Sequence, residues 1–119
     1  MKVIDKLGLI EQFNHEYLRH GCDINKCLKD AVHAGEIEDV NLLLLFGADV
    51  HYQEDYCLYY AVYHNFTIIT ELLLEYGADI HCKKNLLLNK LAFSNKPEMK
   101  KIFKKHGIDI TKYKKENHL

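Results

Sequence analysis

A short cassette of the form Gly-x-Asp-(Ile/Val) recurs along this chain of 119 residues. The four copies begin at Gly21, Gly47, Gly77 and Gly107. A leucine also recurs 19 residues before each of the last three cassettes, at Leu28, Leu58 and Leu88. Self-similarity at a period of about 20–50 residues is the signature of repeat proteins. The spacing therefore predicts repeats with bodies of equal length, and a first connection four residues shorter than the others because the first two glycines are 26 apart.

Each body is predicted to hold two short helices. In the second helix of the middle body, Ile69, Leu72, Leu73 and Tyr76 follow the i, i+3, i+4, i+7 spacing of a buried helical stripe. The cassette glycine ends each second helix, because glycine enters the left-handed conformation without a Cβ penalty. The cassette aspartate is expected to accept hydrogen bonds from nearby backbone amides. These patterns predict an all-α solenoid of stacked helix-turn-helix units with short β-turn or loop connections.

Two kinds of residue predict where helices begin. Asn25, Asp55 and Asn85 each stand three residues before a recurring leucine, and Asn and Asp are strong N-cap residues. We therefore expect them to cap the first helices. Pro97 stands where a second helix should begin, the helical position at which its missing amide costs least.

The landmarks divide one domain, residues 1–119, into five parts. These are an N-terminal half-repeat cap over 1–21, a first repeat with a shortened loop over 22–47, a second repeat over 48–77, a third repeat over 78–107, and a basic C-terminal tail over 108–119.

Composition predicts a soluble protein without a metal or cofactor. The chain is 48% hydrophobic and 28% charged, with a net charge of −1, and it shows neither an apolar run of membrane-spanning length nor a signal-peptide core. The four cysteines lack the tight pairing of a zinc site, so we interpret them as reduced thiols. An intracellular location, cytosolic or nuclear, is expected, with no membrane association.

Catalysis finds little support in the sequence. A glycine-rich phosphate loop, a nucleophile elbow and a pair of catalytic carboxylates are all missing from it. Cys82 beside His81 could be imagined as a nucleophile with its base, but no third orienting group stands nearby in the sequence. We expect the protein not to be an enzyme.

Charge is distributed unevenly along the chain. Residues 1–82 hold five basic and fourteen acidic residues, a net charge of −9, whereas residues 83–119 hold eleven lysines and three acidic residues, a net charge of +8. One interpretation is attraction to an acidic partner or to nucleic-acid phosphates. The other is a soluble outer face on a terminal helix. We favour the second, because the basic segment contains no arginine, and we do not expect nucleic acid to be the main partner.

Two motifs recur: Gly-Ala-Asp-(Val/Ile)-His at 47–51 and 77–81, and Leu-x-x-Ala at Leu28–Ala31 and Leu58–Ala61. Through these motifs the chain resembles the ankyrin repeat family over roughly residues 9–111. The histidine that closes two cassettes is similar to that of small ankyrin arrays from giant DNA viruses. The chain departs from the family in lacking its Thr-Pro-Leu-His signature, and its loops are shorter. The hydrogen bond that usually joins the threonine hydroxyl and the histidine imidazole of this signature in neighbouring repeats is therefore not available in its usual form.

The resemblance implies a non-catalytic protein-protein interaction module that binds a partner through the concave face of first helices and loop tips. Five tyrosines lie within twelve residues of the middle repeat, and tyrosine is enriched in binding hot spots. Carried over by position, the candidate partner-binding residues are Tyr52, Gln53, Glu54, Tyr59, Tyr63, His64, His33, Lys83, Lys84 and Phe93.

The expected partner is a protein, met in the host cytoplasm if the chain is viral. The chain itself is expected to be a monomer or to self-associate weakly. The alternative function is binding of nucleic acid or an acidic partner through the lysine-rich C-terminal end.

Overall fold

The structure, a computed structural model, describes residues 23–119, and in this part of the chain the backbone forms seven helices and no strand. The helices are α1 (Ile24–Ala34), α2 (Ile37–Leu45), α3 (Tyr52–Tyr63), α4 (Thr67–Glu75), α5 (Cys82–Ala92), α6 (Pro97–Lys105) and α7 (Ile110–Glu116). The predicted all-α class is confirmed. The predicted half-repeat cap over 1–21 lies outside the described residues.

The chain divides into two compact units between Asp49 and Val50. In the first unit, α1 and α2 form a helical hairpin. In the second unit, α3 packs against α4 and α5, α4 packs against α6, and α5 packs against α7. First helices therefore lie beside first helices and second helices beside second helices, which is the arrangement of stacked helix-turn-helix units.

The recurring leucines form the centre of each body. Each is completely buried, and so is the residue that lies fifteen positions later in the second helix of the same body. The pairs are Leu28 with Leu43, Leu58 with Leu73, and Leu88 with Phe103. At least this one position of each helix is withdrawn from water in every body, and burial of an apolar face, more than helix propensity, stabilises helices of such length.

The second helices end as predicted, at a glycine in the left-handed conformation. Gly77, with φ +90°, donates its amide hydrogen to the carbonyl of Leu74 at 3.0 Å, and Ala78 donates to that of Leu73 at 3.0 Å. These are the two bonds of a Schellman motif, and the same pattern recurs at Gly47 and Gly107. Pro97 opens α6, also as predicted.

The connection into each of α3 and α5 is a single left-handed turn. Residues 53–55 have φ between 53° and 59°, and residues 83–85 have φ between 53° and 65°. The right-handed parts of these helices therefore begin at Tyr56 and Leu86. Left-handed backbone costs a residue with a side chain roughly 1–2 kcal/mol, so hydrogen bonds from elsewhere must stabilise these turns.

The prediction that Asn25 caps the first helix is wrong. Asp23 caps α1 and accepts a hydrogen bond from the amide of Asn25 at 2.9 Å. The Asn25 side chain instead accepts from the amide of Asp49, at 2.7 Å and 24 positions further along the chain. Its oxygen therefore connects the start of α1 to the next cassette.

Asp55 does in the second unit what Asn25 does in the first. Its carboxylate, buried with 4% of the residue exposed, accepts from the amide of Asp79 at 2.7 Å, again 24 positions away. It also lies 2.9 Å from Nδ1 of His51, as Oδ1 of Asn85 lies 2.7 Å from Nδ1 of His81. The capping predictions for Asp55 and Asn85 are wrong as well, because both residues lie within the bounds of α3 and α5, whose N-cap positions are His51 and His81 and carry no side-chain cap bond.

The segment predicted as a basic tail contains a helix that was not predicted. Asp109 caps α7, accepting from the amides of Thr111 at 3.0 Å and Lys112 at 3.3 Å. Tyr113 donates its hydroxyl hydrogen to the side-chain oxygen of Asn89 at 2.5 Å and so connects α7 to α5. The helix occupies the place of a first helix in a further repeat.

The cysteines differ from one another. Cys27 is disulfide-bonded, so the expectation of four reduced thiols is wrong at this residue. Cys57 and Cys82 are free and buried. Within the described residues, no helix is both long and apolar enough to cross a membrane.

Replacing Asp55 tests the bond to the next cassette. Asp55→Ala should lower the free energy of unfolding by about 2 kcal/mol, because the Asp79 amide and the His51 ring both lose their acceptor. Asp55→Asn should keep most of the stability, since Asn25 accepts an equivalent amide bond and Asn85 pairs with a histidine. Urea denaturation measures both, and equal losses would contradict the assignment.

Thr70 offers a second test of the repeat. Its hydroxyl is fully buried and has no hydrogen-bond partner in the described structure, while Val40 occupies the same repeat position, also fully buried. We expect Thr70→Val to raise the free energy of unfolding by about 1 kcal/mol. The reverse change, Val40→Thr, should lower it by a similar or larger amount. Thermal and urea unfolding measure both, and stabilisation by Val40→Thr would contradict the repeat alignment.

Candidate functional site

A groove of about 170 Å³ lies between the first helices α3 and α5 of the second unit. Its lining is aliphatic and aromatic, with two lysines and one serine and without a carboxylate. The lining residues are Tyr59, Val62, Tyr63, Leu87, Lys90, Leu91, Ser94 and Lys96. Pockets for cofactors and drug-sized ligands are about 300–1,000 Å³, so this groove has room for one side chain rather than for such a molecule.

Two tyrosines form one wall of the groove. Tyr59 and Tyr63 are one helical turn apart on α3, and their rings stack with centroids 6.4 Å apart and planes inclined by 16°. Tyr63 is 62% exposed, whereas Tyr59 is half-buried. An i, i+4 aromatic pair of this kind keeps both rings on one face of the helix.

Lysine ammonium groups lie over both rings. The Nζ atoms of Lys83 and Lys90 are 5.3 and 5.5 Å from the Tyr59 ring centroid, and Nζ of Lys96 is 5.7 Å from that of Tyr63. These distances are those of cation–π contacts. A side-chain hydrogen bond with Tyr59 raises the pKa of the Lys90 ammonium above its usual value. Lys90 therefore remains a cation at physiological pH.

Lys96 has a second role at the end of α3. Its ammonium donates to the backbone carbonyls of Val62 at 2.8 Å and Tyr63 at 2.7 Å. The last carbonyls of a helix have no partner within the helix and carry its negative dipole end, so a cation there is stabilising. Lys96 thereby connects the start of α6 to the end of the first helix one repeat earlier.

Phe93 presents a further exposed ring at the end of α5. It is 66% exposed, and Nζ of Lys114 lies 5.0 Å from its ring centroid. Phe93 stands 30 residues after Tyr63 and thus at the same position of the next repeat. The pattern of an exposed ring beneath a lysine therefore recurs in both repeats of the second unit.

The structure brings together only some of the predicted partner-binding residues. Tyr59, Tyr63 and Lys83 belong to the groove and its rim, with His64 close by, its ring 5.1 Å from that of Tyr63. Phe93 is exposed at the end of α5. The other predicted residues of this unit lie on the left-handed turns or beside them: Tyr52, half-buried, and Gln53, Glu54 and Lys84, all exposed. His33 is exposed near the end of α1, in the first unit.

Three lysines of this surface were not among the predicted binding residues. Lys90, Lys96 and Lys114 each place an ammonium over an aromatic ring of the surface. Lys90 could have been found from the sequence. It stands 30 residues after Tyr60 and thus occupies the same position of the next repeat, where it can reach Tyr59, the neighbour of Tyr60. No comparable spacing indicates the contacts of Lys96 and Lys114.

The thiol considered as a nucleophile is poorly suited to that role. Burial, followed by the nearby charges of Asp55 and Asp79, raises the pKa of Cys82 to about 11. Since the thiolate is the reactive species, Cys82 is almost entirely protonated at neutral pH. Among the described residues, no group of His, Cys, Asp and Glu side chains could hold a metal ion.

Several lysines of the basic C-terminal segment have structural contacts. Lys100 donates to the backbone carbonyl of Ser94 at 2.8 Å. Lys105 forms an ion pair with Glu71, which lowers the pKa of the glutamate and raises that of the lysine. Lys101 and Lys104 are exposed on α6, and Lys101 pairs with Glu98 of the same helix, at 3.4 Å. Part of the positive charge thus serves to join neighbouring helices.

Comparison with known families identifies one repeat. Residues 53–85 match the family model described as Ankyrin repeat, and this range begins in the left-handed turn at the start of α3 and ends in the one at the start of α5. Neither the curated proteins nor the solved structures contained a match to the chain. Residues 53–85 are thereby identified as an ankyrin repeat.

Proposed function

We propose that this chain binds a partner protein through the surface that carries Tyr59, Tyr63 and Phe93. Ankyrin repeats are generally non-catalytic protein-protein interaction modules, and residues 53–85 match this repeat. Binding through this surface is supported by two large exposed rings at equivalent repeat positions, at the ends of α3 and α5, next to an apolar groove.

The exposure of these rings is the observation on which the proposal rests. Phe93 is 66% exposed and Tyr63 is 62% exposed, so both leave apolar area in water. Burying this area against a partner would contribute favourable free energy to binding. Tyrosine and other aromatic side chains provide large contact areas with few rotatable bonds, which is why they dominate binding hot spots.

The positions of the rings also support the proposal. Tyr59 and Tyr63 belong to one continuous helix, and the Tyr63 end of that helix is held by Lys96. A rigid surface loses little conformational entropy on binding. Of the other predicted residues, Gln53, Glu54, Lys83 and Lys84 lie on the turns that lead into α3 and α5. In our proposal these residues are the loop tips, and they contact the flanks of a bound partner.

The alternative, binding of nucleic acid or an acidic partner through the C-terminal lysines, has less support. Lys96, Lys100 and Lys105 already contact neighbouring elements. The described residues contain no arginine, the side chain best suited to bidentate recognition of phosphate.

Removing the two exposed rings tests the proposed surface. The double variant Tyr63→Ala with Phe93→Ala should lose the proteins that the wild-type chain captures from a lysate, with affinities at least about tenfold weaker, because a hot-spot aromatic contributes about 2 kcal/mol. Quantitative mass spectrometry of the captured proteins measures the loss, and circular dichroism verifies that the variant is folded.

The matched control removes two exposed apolar side chains from the second helices of the same unit. Ile68 is 56% exposed and Tyr76 41% exposed, on α4 and at its C-terminal end. Ile68→Ala with Tyr76→Ala should leave capture unchanged. Loss of capture in this control, with retention in Tyr63→Ala/Phe93→Ala, would show that the binding surface lies on the second helices.

A further inference from the structure

We infer that the groove between α3 and α5 binds a short acidic peptide segment of the partner, with one apolar side chain seated in the groove and carboxylates against the lysines around it. This inference rests on the proposed function and specifies the chemistry of the partner. The lysines in question are Lys83, Lys90, Lys96 and Lys114.

The size of the groove favours a side chain as its occupant. Its volume of about 170 Å³ and its apolar lining by Val62, Leu87 and Leu91 match a single aliphatic or aromatic side chain. Recognition of a peptide by one buried anchor with polar contacts around it is a common arrangement at protein interfaces.

Charge favours an acidic segment. The groove lining contains two lysines and no carboxylate, and Lys83 adds a third ammonium beside Tyr59. An ammonium has three hydrogens to donate, and a cation–π contact does not consume them all. Lys83 and Lys90 therefore keep donors for carboxylates, while Lys96 directs two of its three to the carbonyls of Val62 and Tyr63.

The same contacts disfavour single-stranded nucleic acid as the occupant. Proteins that bind it stack bases on the faces of aromatic rings. Here an ammonium already lies over each of the rings of Tyr59, Tyr63 and Phe93. A base would have to displace these lysines, whereas a carboxylate would reach them where they lie.

The test uses synthetic peptides and the whole chain. A fluorescein-labelled peptide of glutamates around a central leucine is compared with the same peptide carrying lysine, or glutamine, in place of every glutamate, and with a labelled oligothymidine. Fluorescence anisotropy at low salt should show binding of the glutamate peptide alone. Added salt should weaken that binding, because exposed charges are screened. Binding of the glutamine peptide or the oligothymidine with equal or higher affinity would overturn the inference.

Substitution of two lysines locates the site. Lys83→Gln with Lys90→Gln should weaken the glutamate peptide roughly five- to tenfold, since each exposed ion pair contributes a fraction of 1 kcal/mol to about 1 kcal/mol. Lys101→Gln with Lys104→Gln removes the same charge from exposed positions on α6 outside the groove. This control should bind as the wild type does, and an equal loss in both variants would refute binding in the groove.

The same variants separate this inference from the proposed function. If Lys83→Gln/Lys90→Gln keeps the captured lysate proteins that Tyr63→Ala/Phe93→Ala loses, the surface is correct and the acidic chemistry is wrong. If both variants keep them, the surface itself is wrong. If both variants lose the captured proteins and Lys101→Gln/Lys104→Gln keeps them, the result supports the proposed surface and its acidic partner.

Discussion

The hydrogen bond from the Asp79 amide to the Asp55 carboxylate is the polar contact that connects one body of the second unit to its following cassette. It joins the start of one body to the cassette that follows, 24 positions later, and the carboxylate is almost completely buried. Asn25 makes the equivalent bond to Asp49 in the first unit. The chain lacks the Thr-Pro-Leu-His signature of ankyrin repeats, and these two bonds connect the first and second bodies to their cassettes without it. The bond from Asp79 also fixes Asp55 at the end of a left-handed turn that would otherwise be costly.

The surface proposed for binding follows from the way first helices lie side by side. Because α5 lies against α3, lysines from α5 and the turn before it reach tyrosines on α3, and an apolar groove remains between the two helices. Lys96 then holds the end of α3 from one element further along. The residues that join the repeats are thus partly the residues that we propose contact the partner, so stability and binding share side chains here.

Structural features that depend only on residues close together in the sequence could be predicted from it. The left-handed glycine at Gly77 and the proline at the start of α6 depend on one or two neighbours, and both were predicted correctly. The caps were not, because a capping rule considers only the next three residues, whereas Asn25 finds a partner 24 positions away. The last helix could have been predicted: Gly107-Ile108-Asp109-Ile110-Thr111-Lys112 repeats the order of Gly21-Cys22-Asp23-Ile24-Asn25-Lys26, and Asp109 caps α7 as Asp23 caps α1.

The candidate site could be predicted only in part. Repeat position identified Tyr63 and Phe93, since their exposure follows from their place at the end of a first helix. The contacts of lysines with the rings depend on which side chains of a neighbouring element are long and close enough to reach them. No simple spacing in the sequence gives the distance between a ring and a lysine ammonium. The electrostatic character of the surface therefore became visible only in the structure.

The central claim is that the partner binds over the ends of α3 and α5, and photo-crosslinking tests it most directly. A benzoylphenylalanine introduced in place of Phe93, and in separate samples in place of Tyr76, would be irradiated in the presence of captured partner. The account predicts a covalent adduct from position 93 and none from position 76. An adduct from position 76 alone would contradict it.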